Sequence, residues 1–423
     1  VRVLFTTIPS SSHLQVMVPM AWALRTAGHE VVFASQPELT DDIVAAGLPA
    51  VPVGEAFAME AVMVDGRPLD AADVGMEVHD LHAGNLTYDR LHGLFTAAAG
   101  LFLPMMSPEG MVDELVDFAR HWRPDLVIWD QNSFAGPLAA AVAGAAHGRL
   151  MFGLDVMGWL RQSYVRMLDE RPEGRRDDPF EDWMQPILDR YGLAYERDLA
   201  IGQFTLCPLP ASVRLDGGVR YVPFRYIPYG GRAVVPDWLR RPPERRRVCI
   251  TLGVTQRQLG QDWVPTAELL EAVADLDAEV VATLDAKQLE TLPSVPDNVR
   301  AVDFVPLDAL LPSCSAALHH GGGGTFLTML AHGVPQVIVP NMLWDTPHKA
   351  DAVTETGAGL RLDLDRYGGL SPDAVRDALR RMLDEPSFAA GAARLRDEVV
   401  GTPGPNQVVP VLEKIAAEHR RNA

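Results

Sequence analysis

Two histidine-containing stretches of this chain carry residue types suited to proton transfer and to anion binding. The first is Ser12-His13-Leu14, just after an apolar run; the second is Leu318-His319-His320-Gly321-Gly322-Gly323-Gly324-Thr325-Phe326. A neutral imidazole at position 13 is suited to taking a proton from an alcohol near pH 7. A carboxylate behind an imidazole fixes its tautomer and stabilises the cation that forms. Asp130, which ends the apolar run 124–130, is the candidate for that part. The plainer alternatives are a turn or N-cap role for His13 and a helix-capping role for Asp130. In the second stretch, four glycines leave no side chains to hold a ligand away. Backbone N–H groups at a helix start lack intrahelical partners, and the helix dipole adds positive potential there. An anion, most naturally a phosphate, is the expected guest; the alternative is a tight turn that needs glycine backbone angles.

The elements that must position these residues follow from the hydrophobic pattern. Residues 1–8 form a continuous β-type run, as in a strand buried on both faces. Residues 13–27 carry apolar positions at helical spacing and stop at Gly28. A strand at 29–34, a short helix at 41–46 and a strand at 51–53 continue a β-α-β-α-β order, hence a parallel sheet with right-handed crossovers. Helices are expected near 89–99 and 110–121, a strand at 124–130, a small-residue helix at 134–146, and helical, charged sequence over 160–205. A second α/β region begins near residue 216. Its strands fall at 248–252, 279–283, 299–305, 316–320 and 334–340. Its helices fall at 266–274, 307–311, 325–332 and 345–356, and two more close the chain after Pro372.

The fold class is therefore α/β, with two facing Rossmann-like doubly wound domains whose strand ends surround one cleft. The first domain is expected over 1–215 and the second over 216–405, with a last helix, 406–423, returning to the first. The stretch 236–247 carries Arg240, Arg241, Arg245, Arg246 and Arg247, with Arg232 just before it. It reads as an exposed interdomain linker.

A chain of 423 residues is too long for one ordinary core and fits two domains. A net charge of −19 repels nucleic acid. Three widely separated cysteines, Cys207, Cys249 and Cys314, suggest buried reduced thiols in a cytoplasm rather than a disulfide framework. No targeting segment is visible, and the longest apolar stretch, 135–146, is too short to span a bilayer. A soluble, cytoplasmic protein is expected. No Gly-x-Gly-x-x-Gly follows the first strand and no Gly-x-x-x-x-Gly-Lys-Ser/Thr occurs, which disfavours dinucleotide enzymes and P-loop nucleotidases. Two Asp-x-Asp triplets, Asp275-Leu276-Asp277 and Asp363-Leu364-Asp365, read as solvated turns. His79 and His82 with Asp80 have no obvious further ligand, so no metal site is expected.

The chain resembles the GT-B nucleotide-sugar glycosyltransferases, and within them the activator-dependent deoxysugar transferases of macrolide and anthracycline antibiotics. The likeness is carried by Ser12-His13-Leu14, Ala23-Leu24-Arg25-Thr26-Ala27-Gly28-His29-Glu30-Val31 and Trp122-Arg123-Pro124-Asp125-Leu126-Val127-Ile128-Trp129. It continues in Arg246-Arg247-Val248-Cys249-Ile250-Thr251-Leu252-Gly253, Phe304-Val305-Pro306, His319-His320-Gly321-Gly322, Gly333-Val334-Pro335-Gln336 and Trp344-Asp345-Thr346. The third and fourth glycines depart from the usual alternation with a larger residue, which should loosen the loop.

The resemblance implies transfer of a deoxysugar, an aminodeoxysugar included, from a TDP-sugar to a hydroxyl of a polyketide aglycone, with inversion. It implies His13 as base with Asp130 behind it. His320, with Gly321, Gly322, Gly323, Gly324 and Thr325, would hold the leaving diphosphate, where fixed N–H donors lower the barrier. Gly253 and Thr255 lie at a strand end beside the same phosphates, Thr255 serving them or a simple cap. Val305 would offer backbone to the nucleotide base. Asp345 and Thr346 stand where relatives use an acidic–amide pair on sugar hydroxyls. No cofactor and no metal are implied; the TDP-sugar is a co-substrate. The implied partner is a cytochrome-P450-like activator without haem function, and a homodimer is compatible with the sequence. The apolar residues 91–106 read first as helix packed against the N-terminal core and second as an acceptor wall or partner surface. Two other readings remain: a GT-B nucleotide-sugar epimerase or hydrolase, and a catalytically silent sugar-nucleotide-binding subunit.

Overall fold

Strand β1, Arg2–Thr6, is buried from its second residue onward, as an apolar run covered by helices on both faces must be. In the computed structural model, residues 1–57, 63–64, 67–68, 78, 85–253, 266–290, 292, 294–341, 344–364 and 369–422 are described. They divide into two compact units: Val1–Pro208 with Leu215–Arg225 and Pro403–Ala423, and Leu209–Arg214 with Tyr226–Thr402.

In the first unit, β1 is joined by β2 (Glu30–Ser35), β3 (Ala50–Pro52), β4 (Leu126–Asp130), β5 (Ala146–Leu150), β6 (Phe204–Cys207) and β7 (Tyr221–Pro223). They form one parallel sheet in the order β3-β2-β1-β4-β5-β6-β7. Helix α1 (Ser11–Thr26) follows β1, α2 (Ala135–Ala143) follows β4 and α3 (Val156–Asp169) follows β5.

The second unit repeats the plan with β8 (Arg247–Thr251), β9 (Glu279–Thr283), β10 (Val299–Val302), β11 (Ala316–His319), β12 (Gln336–Ile338) and β13 (Gly359–Arg361). Their order is β10-β9-β8-β11-β12-β13, again parallel. Helix α4 (Gly323–His332) follows β11 and α5 (Thr346–Glu355) follows β12. Its main apolar cluster joins Val248, Ile250, Leu269, Val280, Leu318 and Val337. Helix α6 (Pro405–Asn422) belongs to the first unit, where Arg420 reaches Asp125 at 2.7 Å.

Several expectations need correction. The run 134–146 is not one helix: it stops at Gly144, which is left-handed (φ 66), and Ala146 already begins β5. Within 160–205 the helices give way to β6, and β7 follows, so the first unit reaches Arg225 rather than 215. Arg247 is no solvated linker residue. It is 2% exposed and bound to Glu279 at 2.8 Å. Three helices, not two, follow Pro372, because Pro386 starts one at its first position. Residues 88–106 form helix with a π-helical segment at Ala98–Phe102. Among the described residues, no helix is long and apolar enough to cross a membrane.

Candidate functional site

In each sheet the order reverses direction once: between β1 and β4 in the first unit, and between β8 and β11 in the second. Loops leaving two such neighbouring strands turn to opposite faces and open a crevice at their carboxyl ends. The predicted residues His13 and Asp130 follow or end the first pair of strands, while Gly253 and His319-His320-Gly321 follow or end the second.

His13 is the third residue of α1, whose N-cap, Ser10, makes no side-chain capping bond. Its Nδ1 lies 2.7 Å from Oδ2 of Asp130. Asp130 is 1% exposed, and its other oxygen accepts the Asn132 N–H at 2.8 Å. Helix α2 begins only at Ala135, so Asp130 does not cap it. A carboxylate facing Nδ1 makes that nitrogen the donor and leaves the lone pair on Nε2. Phe152 flanks the imidazole, with ring centroids 4.1 Å apart. The turn carrying Phe152 is pinned by buried Arg149, whose guanidinium grips both oxygens of Asp155 at 3.0 and 2.7 Å. It also bonds Thr205 Oγ1 at 3.0 Å. Asp155 in turn caps α3 through the Gly158 N–H at 2.8 Å.

In the second unit the four glycines divide. Gly321 (φ 89) makes the turn, Gly322 is the N-cap, and Gly323 and Gly324 open α4, with Thr325 in its first turn. The first intrahelical bond runs from Phe326 N–H to Gly322 O at 2.9 Å. The helix has no side-chain cap, so the amides of its first turn are aimed out of the helix end. The expected loosening by the third and fourth glycines is not what they do: both are helical.

The two histidines have different jobs. His319 is fully buried; its Nδ1 accepts the Gly321 N–H at 3.1 Å and its Nε2 faces Gln336 Oε1 at 2.9 Å. That pattern requires the neutral Nε2–H tautomer. Burial lowers its pKa to about 4, with the Lys349 charge acting in the same direction and the Gln336 bond against it. His320 packs against the turn, since a side chain at Gly253 (φ 87) or at Gly322 would run into its ring. Burial first, then His319 and Lys349, push its pKa down to about 3, so both rings are neutral near pH 7.

Asp345 immediately precedes α5, and Thr346 is its first residue. The Thr346 hydroxyl donates to Asn341 Oδ1 at 2.9 Å, and its side chain packs beside Gly321. Trp344, just before them, holds a left-handed backbone (φ 50), a strained choice for an aromatic residue. Lys349, one turn into α5, is 1% exposed. It donates to Asp345 Oδ1 at 2.8 Å and to Gly321 O at 3.1 Å. The Val305 side chain packs with Cys249, Leu311 and Met329; the part expected to serve the base is its backbone. Thr255 lies outside the described residues, as do His79, Asp80, His82 and Asp365. Among the described residues, no three His, Cys, Asp or Glu side chains are grouped to hold a metal ion.

Sequence reasoning missed Phe152, Arg149 and Lys349. The Asp345–Lys349 spacing of four along a helix was a readable signal. The Phe152 and Arg149 positions were hidden by the unrecognised strand β5.

Residues 22–253 match the family model described as Erythromycin biosynthesis protein CIII-like, N-terminal domain, and residues 267–415 match its C-terminal domain. The chain is 52% identical to the Aclacinomycin-T 2-deoxy-L-fucose transferase of Streptomyces galilaeus, covering 100% of this chain and 97% of the relative. It is 48% identical to the 10-deoxymethynolide desosaminyltransferase of Streptomyces venezuelae, covering 99% and 98%. Among solved structures, glycosyltransferase VinC in complex with DTDP is similar at a TM-score of 0.89 and 42% identity, covering 99% and 100%.

Proposed function

The chain belongs to the erythromycin biosynthesis protein CIII-like family of GT-B glycosyltransferases, and from that premise we propose that it moves a deoxysugar from a TDP-linked donor to a hydroxyl of a polyketide aglycone, with inversion at the anomeric carbon. The observation that carries the chemistry is the 2.7 Å contact between His13 and buried Asp130. In this reading His13 Nε2 takes the acceptor's hydroxyl proton while the Nδ1–H stays bonded to Asp130, which stabilises the imidazolium that forms. The acceptor oxygen attacks the anomeric carbon. The bond from that carbon to the diphosphate oxygen breaks, and the electron pair leaves on TDP. His320 and the amides at the start of α4 receive the growing negative charge, in an arrangement fixed before the reaction begins. Asp345 and Thr346 face the sugar, and Thr255 and Val305 serve phosphate and base. The donor is a co-substrate, and no cofactor or metal is needed for these steps.

The likeness to a deoxy-L-fucose transferase and a desosaminyltransferase supports the deoxysugar and polyketide substrates; the DTDP-bound relative supports the nucleotide. The same reading includes a P450-like activator as partner, self-association as a homodimer, and the cytoplasm as the place of work. The test is to incubate the protein with TDP-deoxysugars, with and without polyketide aglycones and activator, and to follow glycoside and TDP by liquid chromatography and mass spectrometry. TDP release that depends on the aglycone supports transfer. Rapid donor consumption without aglycone, and no glycoside, would refute it in favour of hydrolysis or epimerisation.

A further inference from the structure

We infer that Lys349 is a positioning residue that sets the peptide geometry of the diphosphate-binding turn, a role that rests on the donor reading above. A lysine ammonium at 1% exposure is costly unless it is paired and hydrogen-bonded. Asp345 Oδ1, at 2.8 Å, supplies the counter-charge. Charge balance would be met by that contact alone, yet Nζ also donates to Gly321 O at 3.1 Å. Gly321 is the residue of the turn with φ 89. Its N–H is held from the other side by His319 Nδ1 at 3.1 Å, and His319 is fixed by Gln336 at 2.9 Å. Both peptide groups of Gly321 are therefore pinned.

A trans peptide is planar, with C=O and the following N–H pointing in opposite directions. Pulling the Gly321 carbonyl toward Lys349 thus turns the Gly322 N–H away from the ammonium. The chain then enters α4, whose first-turn amides follow in register. One buried cation in this way fixes the donors before the diphosphate arrives, which is what preorganised anion stabilisation requires. Phe326, on α4, lies under the same ammonium, 5.7 Å from Nζ to the ring centroid, so α4 itself is tied into the brace. Lys349 also carries positive charge close to the turn, its Nζ lying 3.1 Å from Gly321 O. It links the turn to Asp345, the residue placed on the donor sugar.

The test uses the full chain and isothermal titration with TDP and with thymidine, which lacks both phosphates. Lys349→Met alone removes the ammonium partner of Asp345 and risks misfolding, so the decisive variant is Lys349→Met with Asp345→Asn, which removes both charges. Its melting temperature is compared with that of the wild type. The expected result is a folded double variant that binds TDP about ten- to a hundredfold more weakly, the scale of one charge-assisted hydrogen bond. Thymidine affinity should change much less, and kcat should fall more than the KM for aglycone rises. Unchanged TDP affinity in the folded double variant overturns the inference, as does an equal loss for TDP and thymidine. A double variant that does not fold would assign Lys349 to the core and overturn it too. A wild-type protein that binds no TDP would instead remove the donor reading on which the inference stands.

Discussion

Replacing Asp130 by Asn keeps the shape of the last residue of β4 and removes its charge. The structure says which way the new amide must turn. Oδ1 of Asp130 accepts the Asn132 N–H at 2.8 Å, so the amide oxygen has to stay there. Its NH2 group then faces His13 Nδ1, where Oδ2 stood at 2.7 Å. Nδ1 must now accept, the ring proton moves to Nε2, and the nitrogen that should take the acceptor's proton is blocked. Loss of a charge-assisted hydrogen bond is worth about 1.5–3 kcal/mol, or roughly 10- to 150-fold in rate. A wrong tautomer adds to this, up to the ~10⁴-fold seen when the same change is made in a Ser-His-Asp triad. Asp130→Ala has no amide to impose the tautomer, so it should lose only the smaller factor. It leaves the Asn132 N–H without its acceptor, at a cost of about 1–3 kcal/mol of stability. Asp130→Asn should therefore be the slower but more stable variant. Single-turnover transfer and thermal melting measure both, with TDP affinity as a control that should not move. Wild-type turnover in Asp130→Asn, or a rate above that of Asp130→Ala, would refute the tautomer argument.

Three further outcomes can be checked. Gly322→Ala would set its Cβ 2.5 Å from His320 Nε2 and displace the ring; calorimetry should show TDP binding about tenfold weaker, and unchanged affinity would argue against His320 as a phosphate ligand. Buried His319 holds its proton affinity near 4, against an ordinary value of 6.5. The unfolded chain therefore binds more protons in that window, and stability is complete above it and falls as pH drops through it, by up to about 1.4 kcal/mol per pH unit. Melting curves of His319→Gln should fall less steeply with acid than those of the wild type, and parallel curves would contradict this. Arg149→Met leaves Asp155 buried without its guanidinium, so the first unit should lose about 3–5 kcal/mol; a melt within a degree or two of wild type would show that the pair does not hold the Phe152 turn.

The groups proposed to react were readable in the sequence because they sit where a pattern changes. An apolar strand running into Ser12-His13, and another ending at Asp130, needed only the period of the run and the polar residue that stops it. That the two side chains touch follows from β1 and β4 being neighbours, which local pattern does not encode. The glycine turn was equally visible, but the separate tasks of His319 and His320 were left to which face each presents. Strand β5 was lost because the small-residue run continues into Ala146 and the strand itself carries His147 and Arg149. Such residues read as surface. The partner that makes burial of Arg149 tolerable, Asp155, lies in the next turn. Arg247 was misread for a related reason: Glu279, which neutralises it, stands on the neighbouring strand. Burial of a charge is a property of the pair, and the pair exists only in the fold.

The central claim is that His13 removes the acceptor's proton while the second unit retains the departing diphosphate. Single-turnover transfer by His13→Ala, with activator, TDP-deoxysugar and aglycone supplied and TDP affinity measured alongside, tests it most directly. The account predicts wild-type affinity for TDP with glycoside formation slowed by about 10²- to 10⁴-fold, the range of general base catalysis. Near-normal glycoside formation by that variant would contradict it.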